Sequence, residues 1–310
     1  MSHKASVLFV DDEVHIVNLL KIMFRNDYEV FTATSGDAAL EIVQARQIDV
    51  IVSDQRMPGM LGTELLGKVK ARSPRTMRIL LTGYSDLAAM VGSINEGEIY
   101  RFINKPWNND EIRSIIREAA EAAVSTANST VLAAPDALDE SVGTGAGILI
   151  LDRDVANNDW FKEHFRADYH AFTAHSIDEA LHVLEQNDVG VVVTDTKVGG
   201  ENTFEFLRIL KQQYPQVMTV MLTAYADADA VMKLINQAQV CRLSFKPVKR
   251  GAIDLAIRAA MMHHRRYRTD PVLSLRQRVA TSGEAESSLA RSLATRLRGI
   301  ARRFGFHRGA

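Results

Sequence analysis

The sequence predicts an α/β protein. It would be built of two tandem, open, doubly wound domains with five-stranded parallel sheets, followed by a basic, partly helical tail. Three observations predict this. The chain has 310 residues, more than one small hydrophobic core organises. Residues recur at one offset: Asp11 and Asp152, Asp54 and Asp195, Thr82 and Thr223, Lys105-Pro106 and Lys246-Pro247 are each 141 positions apart. Within each repeat, short apolar runs alternate with longer amphipathic ones.

The offset extends to Phe24 and Phe165, Tyr28 and Tyr169, Phe31 and Phe172, Pro74 and Pro215, and Tyr84 and Tyr225. An ungapped match of this length marks a tandem duplication of a unit of roughly 120 residues. In the first unit, "SVLFV", "YEVFTA", "IDVIVS", "TMRILLT" and "YRFIN" read as strands. They are short, rich in Val, Ile and Phe, and almost continuously apolar, as a parallel sheet covered on both faces requires. Helices are expected over Val14–Arg25, Gly36–Arg46, Gly62–Arg72, Asp86–Asn95 and Asn109–Ala123, with Ser35 as a cap. The expected boundaries are a first domain over 1–123, a small polar linker over 124–145 containing Pro and Gly, a second domain over 146–262, and a tail over 263–310.

Composition excludes several classes. Cys241 is the single cysteine, so neither an internal disulfide framework nor a cysteine-based zinc site is expected. No apolar run of about 18 residues predicts a membrane span. No Gly-rich loop follows the first strand of either repeat, which argues against a dinucleotide site. The chain starts directly into a strand, with no signal peptide, and reads as cytoplasmic. Both domains are mildly acidic. Only residues 262–310 are basic, with 11 Arg and Lys against 3 Asp and Glu.

In an open α/β sheet, ligands bind beyond the carboxyl ends of the strands. Asp11 and Asp12 close the first strand, Asp54 the third, Thr82 the fourth and Lys105 the fifth. Three carboxylates at one edge repel each other unless a cation sits among them, and oxygen-only ligands suit a hard ion such as Mg2+. A hydroxyl and an ammonium facing that ion suit an added phosphoryl group.

The stretches "VDDE", "SDQRMPGMLG", "LLTGYSD" and "RFINKPW", in that order and spacing, resemble the receiver domain of two-component response regulators, a CheY-like, flavodoxin-like fold. The phrasing is most similar to receivers that front hydrogenase-type transcription activators or cyclic-di-GMP phosphodiesterases. The resemblance implies that Asp54 takes a phosphoryl group from a sensor histidine kinase or a phosphotransfer protein. It implies that Asp11, Asp12, Asp54 and the backbone carbonyl of Arg56 hold Mg2+, that Thr82 and Lys105 contact the phosphoryl group, and that Phe102 turns inward when Thr82 moves. It implies a cis Lys105–Pro106 bond. The only chemistry it implies is self-phosphorylation and autodephosphorylation. Trp107 reads equally as a partner contact or as packing at a helix start; His15 reads as surface.

The second repeat keeps Asp152, Asp195, Thr223 and Lys246 but departs elsewhere. Arg153 stands at the place of Asp12, Leu243 at that of Phe102, Val248 at that of Trp107, and "VGG" at Val198–Gly200 replaces "MPG". A guanidinium cannot ligate a metal. Arg153 is expected to pair with Asp152 and Asp195 and so disable the site. Two other outcomes stay open: weak phosphoryl acceptance with Asp154 or Arg153 substituting, and an Arg153 that points to solvent. "LDRDV" also has the Asp-x-Asp spacing of haloacid-dehalogenase-like phosphatases, but the offset sets Asp154 against Glu13, which argues for a receiver.

In the tail, "MMHHRRYR" continues the last helix of the second domain and ends it in basic residues, as the helix dipole favours. Leu289, Leu293, Leu297, Ile300 and Phe304 recur at helical spacing near 287–304, with Arg opposite. This helix is expected to dock a partner, ahead of lying on an anionic membrane or packing back. The overall expectation is a phosphoswitch. The face formed by helix four, strand five and helix five would change its contacts with a downstream protein, a second copy or the second repeat. The alternative is a transcription regulator whose basic tail touches DNA.

Overall fold

The computed structural model describes residues 4–83, 91–92, 99–127, 145–224, 228–247, 249–277 and 291–297. They form two compact units. The first is Met1–Ala134 together with Asp227–Asn236, and the second is Pro135–Ala226 with Gln237–Ala310.

In the first unit the strands are β1 (Ser6–Val10), β2 (Glu29–Ala33), β3 (Val50–Asp54), β4 (Met77–Thr82) and β5 (Arg101–Asn104). They pair in parallel in the order β2-β1-β3-β4-β5. Helices α1 (Val14–Phe24), α2 (Gly36–Ala45), α3 (Gly62–Arg72) and α4 (Asn109–Thr126) connect and cover them. The expected helix over Asp86–Asn95 lies almost wholly outside the described residues. Ser35 does cap α2, its side chain accepting from the Ala38 N–H. Asn108 caps α4 in the same way, accepting from the Asp110 and Glu111 N–H groups.

Strand periodicity sorts the core. Val7 and Phe9, Val50 and Val52, and Ile79 and Leu81 face one side, where they meet Leu20 and Phe24 of α1 and Ile112, Ile116 and Ala119 of α4. Leu8, Ile51 and Leu80 are equally buried. They alternate with that set, and α2 and α3 pack on the sheet. Fully burying one such side chain stabilises by about 1.5–3 kcal/mol.

The second unit repeats the plan. Its strands are β6 (Gly147–Leu151), β7 (Ala171–Ala174), β8 (Val189–Thr194), β11 (Met218–Thr223) and β12 (Arg242–Phe245), in the order β12-β11-β8-β6-β7. Its helices are α5 (Val155–Phe165), α6 (Ile177–Gln186), α7 (Phe204–Gln213) and α9 (Arg250–Thr269), and the repeat also has α8 (Ala228–Ala238), whose residues up to Asn236 cluster with the first unit. The core cluster of Ile148, Ile150, Val191, Val193, Val220, Leu222, Phe165, Ile253, Ile257 and Ala260 is the first core moved on by 141 positions. Cys241 packs against it.

The second unit adds a short hairpin, β9 (Lys197–Val198) with β10 (Glu201–Asn202). Gly199 and Gly200 turn it with φ of +63° and +90°, a conformation that suits a two-residue hairpin loop and few residues other than glycine. This is what the change from "MPG" to "VGG" builds.

Helix α4 continues to Thr126, three residues past the expected 123, and α9 continues through "MMHHRRYR" to Thr269, as expected. A 3-10 turn over Pro271–Gln277 comes next, with Leu273 buried. The tail helix is seen over residues 291–297, and it packs back instead of standing free for a partner. Leu293 and Leu297 are buried, the Tyr214 hydroxyl donates to the Leu297 carbonyl, and Arg296 reaches Glu185 at 3.1 Å and Asp178 at 2.8 Å. The apolar stripe therefore completes the α6–α7 side of the second unit, and Arg296 meets the acids of α6. Leu289, Ile300 and Phe304 lie outside the described residues.

The second unit also buries two basic groups. His264 packs on β8 so closely that a Cβ at Gly190 would lie 2.6 Å from its ring. Its Nδ1 meets the Gln216 carbonyl at 2.8 Å, and its Nε2 has no partner among the described residues. Burial pushes its pKa down to about 4 although the Gln216 bond opposes the shift. Lys211, wholly buried, donates to the Val217 carbonyl at 2.8 Å, and burial lowers its pKa to about 7. Both folded-state values lie below the unfolded ones, so the unfolded chain binds more protons and stability rises with pH. The windows are about 4 to 6.5 for His264 and about 7 to 10.5 for Lys211. Lowering the pH from 6.5 to 5 is expected to cost the second unit about 2 kcal/mol through His264 alone. Urea titrations of a Trp107→Phe chain, followed through Trp160, check this: His264→Leu is expected to flatten the acid slope.

Candidate functional site

The β1–β3 crevice is where the strand order reverses, and the register brings the polar strand ends into one row there. Val10 pairs with Ser53, Asp54 with Leu81, and Thr82 with Asn104, so Asp11, Asp54, Thr82 and Lys105 emerge together. Asp11 is 1% exposed and Asp54 6%. The Lys105 ammonium joins them, 2.8 Å from Asp11 Oδ2 and in direct contact with Asp54 Oδ1. The second Asp54 oxygen, Oδ2, accepts the Arg56 N–H at 2.6 Å, which sets Arg56 beside the acceptor. Asp11 Oδ1 accepts the Glu13 N–H at 3.0 Å. Burial works to lower the pKa of Lys105, but its hydrogen bonds and charge attraction to Asp11 and Asp54 outweigh this and raise it. The lysine stays charged. Thr82 is buried at the end of β4. The Lys105–Pro106 bond is cis, and so is Lys246–Pro247.

Asp12 is exposed, and among the described residues no group of three acids or other ligating side chains is drawn close enough to hold a metal. The structure thus brings Asp11 and Asp54 together around an ammonium and leaves Asp12 at the rim. The donor chemistry still fits a hard cation: the donors are all oxygen, and the three carboxylates outnumber the one ammonium. Trp107 packs against the core cluster, which favours the packing reading, and His15 is exposed beside Glu13 at 3.5 Å. Phe102 is wholly buried.

The second unit places Asp152, Asp195, Thr223 and Lys246 in the same row. Lys246 reaches Asp195 at 2.8 Å and Asp152 at 3.3 Å. The expected bridge from Arg153 to these two acids does not form. Arg153 is exposed, as Asp12 is at the matching place, because that position points out of the crevice while the lysine enters from the end of β12. Asp195 Oδ1 is instead held by Thr196, through its N–H at 2.6 Å and its hydroxyl at 3.1 Å. The Thr196 hydroxyl also lies 3.4 Å from that of Thr223. With only two carboxylates left, this crevice does not fit a divalent cation as the first does.

Known proteins bear on both sites. The response regulator receiver domain matches residues 7–117 and 148–258. The chain belongs to the response regulator receiver family. It is similar to the hydrogenase transcriptional regulatory protein HoxA of Cupriavidus necator, with 39% identity over 123 residues, covering 39% of this chain and 26% of that protein. It is also similar to sporulation initiation phosphotransferase F of Bacillus subtilis, with 34% identity over 113 residues, 36% of this chain and 90% of that protein. The matched stretch spans about a quarter of the HoxA-type regulators. Among solved structures, the signal receiver domain of an HD domain-containing protein from Pseudomonas fluorescens aligns with 33% identity and a TM-score of 0.40, over 42% of this chain and 96% of that one.

Two pairs of site residues escape a reading of strand ends alone. Gln55 and its counterpart Thr196 follow the acceptor, and Gly62 and its counterpart Thr203 open the next helix. In both receivers the helix-start N–H donates to the residue after the acceptor, Gly62 to Gln55 and Thr203 to Thr196, each at 3.0 Å. In the first receiver a Cβ at position 62 would sit 2.1 Å from the Asp54 carbonyl oxygen, so only glycine lets α3 approach. In the second, the Thr203 hydroxyl donates to the Asp195 carbonyl at 2.6 Å. Comparison of the repeats at the 141-residue offset carries the signal for both. Gly62→Ala is expected to destabilise the first receiver by about 1–3 kcal/mol, because the clash is with backbone. Denaturation followed through Trp107 in a Trp160→Phe chain measures it.

Proposed function

We propose that this chain is a two-component phosphorelay response regulator. Its first receiver accepts a phosphoryl group on Asp54 and signals by protein contact. The observation that carries the reading is the Lys105 bridge between two buried carboxylates, one of which, Asp54, sits at the mouth of the switch-point crevice. A carboxylate oxygen of Asp54 would attack the donor's phosphorus. The new O–P bond forms as the donor's N–P or O–P bond breaks, and the electron pair leaves on the donor atom. Charge builds on the phosphoryl oxygens during this step, and the fixed ammonium of Lys105 and the Thr82 hydroxyl stand where they can meet it. Mg2+, when bound, neutralises the crowded anionic oxygens. Asp11 and Asp54 would hold it, with Asp12 at the rim and the Arg56 carbonyl as further oxygen donors.

A protein donor fits the surroundings. Helix α1 starts three residues after Asp11 and exposes Val14 (59%), Leu19 (47%) and Ile22 (62%). Exposed apolar side chains on the helix that starts next to Asp11 suit a helical histidine-bearing partner such as a sensor kinase or phosphotransfer protein. Among the described residues no helix is long and apolar enough to cross a membrane. The DNA-contact alternative rests on the tail's basic charge. Arg296, which already pairs with two acids, does not favour it.

The second receiver is proposed to be a non-phosphorylated partner domain. Arg153 stands where the first receiver has Asp12, so this crevice lacks the third carboxylate. Incubation with acetyl phosphate and Mg2+ tests both statements. Wild type and Asp195→Asn are expected to take up equal label, and Asp54→Asn none. Full labelling of Asp54→Asn would overturn the assignment of the acceptor, and loss of about half the label in Asp195→Asn would show a second live site.

A further inference from the structure

The second receiver holds a segment that lies outside the repeat. Residues 291–297 of the tail are helical and, like α6 and α7, belong to the second unit. Leu293, Ala294 and Leu297 are buried, while Arg291, Ser292 and Thr295 are exposed. One face of the segment is therefore covered. The Tyr214 hydroxyl, at the end of α7, donates to the Leu297 carbonyl. Arg296 reaches Asp178 in the first turn of α6 at 2.8 Å and Glu185 in its last turn at 3.1 Å.

The receiver side of this contact is particular to the second repeat. At the 141-residue offset, Ser73 stands for Tyr214 and Gln44 for Glu185. Ser73 is used locally, accepting the Thr76 hydroxyl at 2.8 Å. Helix α3 buries one stripe, Gly62, Leu65, Leu66 and Val69, as a helix lying on a sheet does. Helix α7 buries six residues in succession, Phe206 to Lys211. At about 3.6 residues per turn these go all the way round, so α7 is covered outside as well as against the sheet. Tyr214 follows Lys211 by three positions, on the same side of the helix, and is buried too. It leads into β11, at the sheet edge opposite the crevice, so it has no part in acceptor chemistry.

The contact is small. Among the described residues the tail contributes two leucines and an alanine, and Asp178 is 88% exposed, where an ion pair adds little. Ordering the segment opposes the gain. Tethering compensates, because a short connection supplies an effective concentration on the order of 1 mM. A weakly held, tethered helix stays docked and yet exchanges.

We propose that the α6–α7 face of the second receiver is a helix-binding site whose resident ligand is the chain's own basic tail. A free helix of the same chemistry, two leucines four positions apart with an arginine beside the second, exchanges with it. The second receiver, which lacks the third carboxylate, serves as the holder of the tail. This does not depend on phosphorylation of Asp54.

The full chain tests it, with a fluorescein-labelled peptide of residues 287–304 as probe and anisotropy as readout. A chain carrying Leu293→Asp and Leu297→Asp, which frees the face, is expected to bind the peptide about tenfold or more tightly than wild type, where the resident tail competes. In that freed chain, Tyr214→Ser with Glu185→Gln, the first receiver's residues, is expected to weaken binding about fivefold. Equal binding by wild type and the freed chain would show that the tail is not the resident ligand. No binding to the freed chain, or binding indifferent to Tyr214→Ser with Glu185→Gln, would remove the site. Charge reversal tests the same contact without touching the core. Arg296→Glu is expected to speed amide hydrogen exchange over 291–297 about fivefold, and adding Asp178→Arg with Glu185→Arg to restore it. Exchange that stays fast in the triple variant would sink the pairing of Arg296 with α6. Wild-type exchange over 291–297 that slows as protein concentration rises would put the tail on a second copy and overturn the in-chain ligand.

Discussion

The first receiver's functional edge depends on one ammonium between two buried carboxylates. A parallel sheet in this strand order delivers Asp11 and Asp54 to the same crevice, and both are almost completely withdrawn from water. Two like charges there repel with little screening. Lys105 resolves the conflict, and its raised pKa is the sign that both acids act on it. Removing one partner of a buried ionic group costs about 3–5 kcal/mol as a rule, so the lysine is structural as well as chemical. One ammonium does not balance three carboxylates, and the surplus negative charge is what a hard cation and then a phosphoryl group would complete.

In the second receiver that surplus is gone. Its lysine makes the same two contacts, but the third acid is an outward-facing arginine. Hydroxyls now crowd the acceptor: Thr196 on the side-chain oxygen and Thr203 on the backbone carbonyl. Thr203 stands where the first receiver needs a glycine for close approach. The two changes belong together, because a helix start that no longer needs a glycine can supply a donor. On the proposed reading, the arginine disables the site by replacing a carboxylate, without entering the crevice.

Most of the fold was legible in the residues because the duplication repeats its core, position for position. Val7 and Ile148, Phe9 and Ile150, and Ile116 and Ile257 hold the same places, and burial on one sheet face tolerates only apolar side chains of similar bulk. The strand-end acids, threonines and lysines were legible because polar residues closing apolar runs have few other reasons to recur at one offset. Other features had weaker signals. A two-residue hairpin shows only as a pair of glycines, which equally mark a loop. The tail helix has the apolar stripe that a partner-docking helix would have, and periodicity alone does not say which surface covers it. The buried charge of Lys211 is hidden for a related reason: its neighbours in sequence are ordinary helix residues, and only tertiary packing removes it from water.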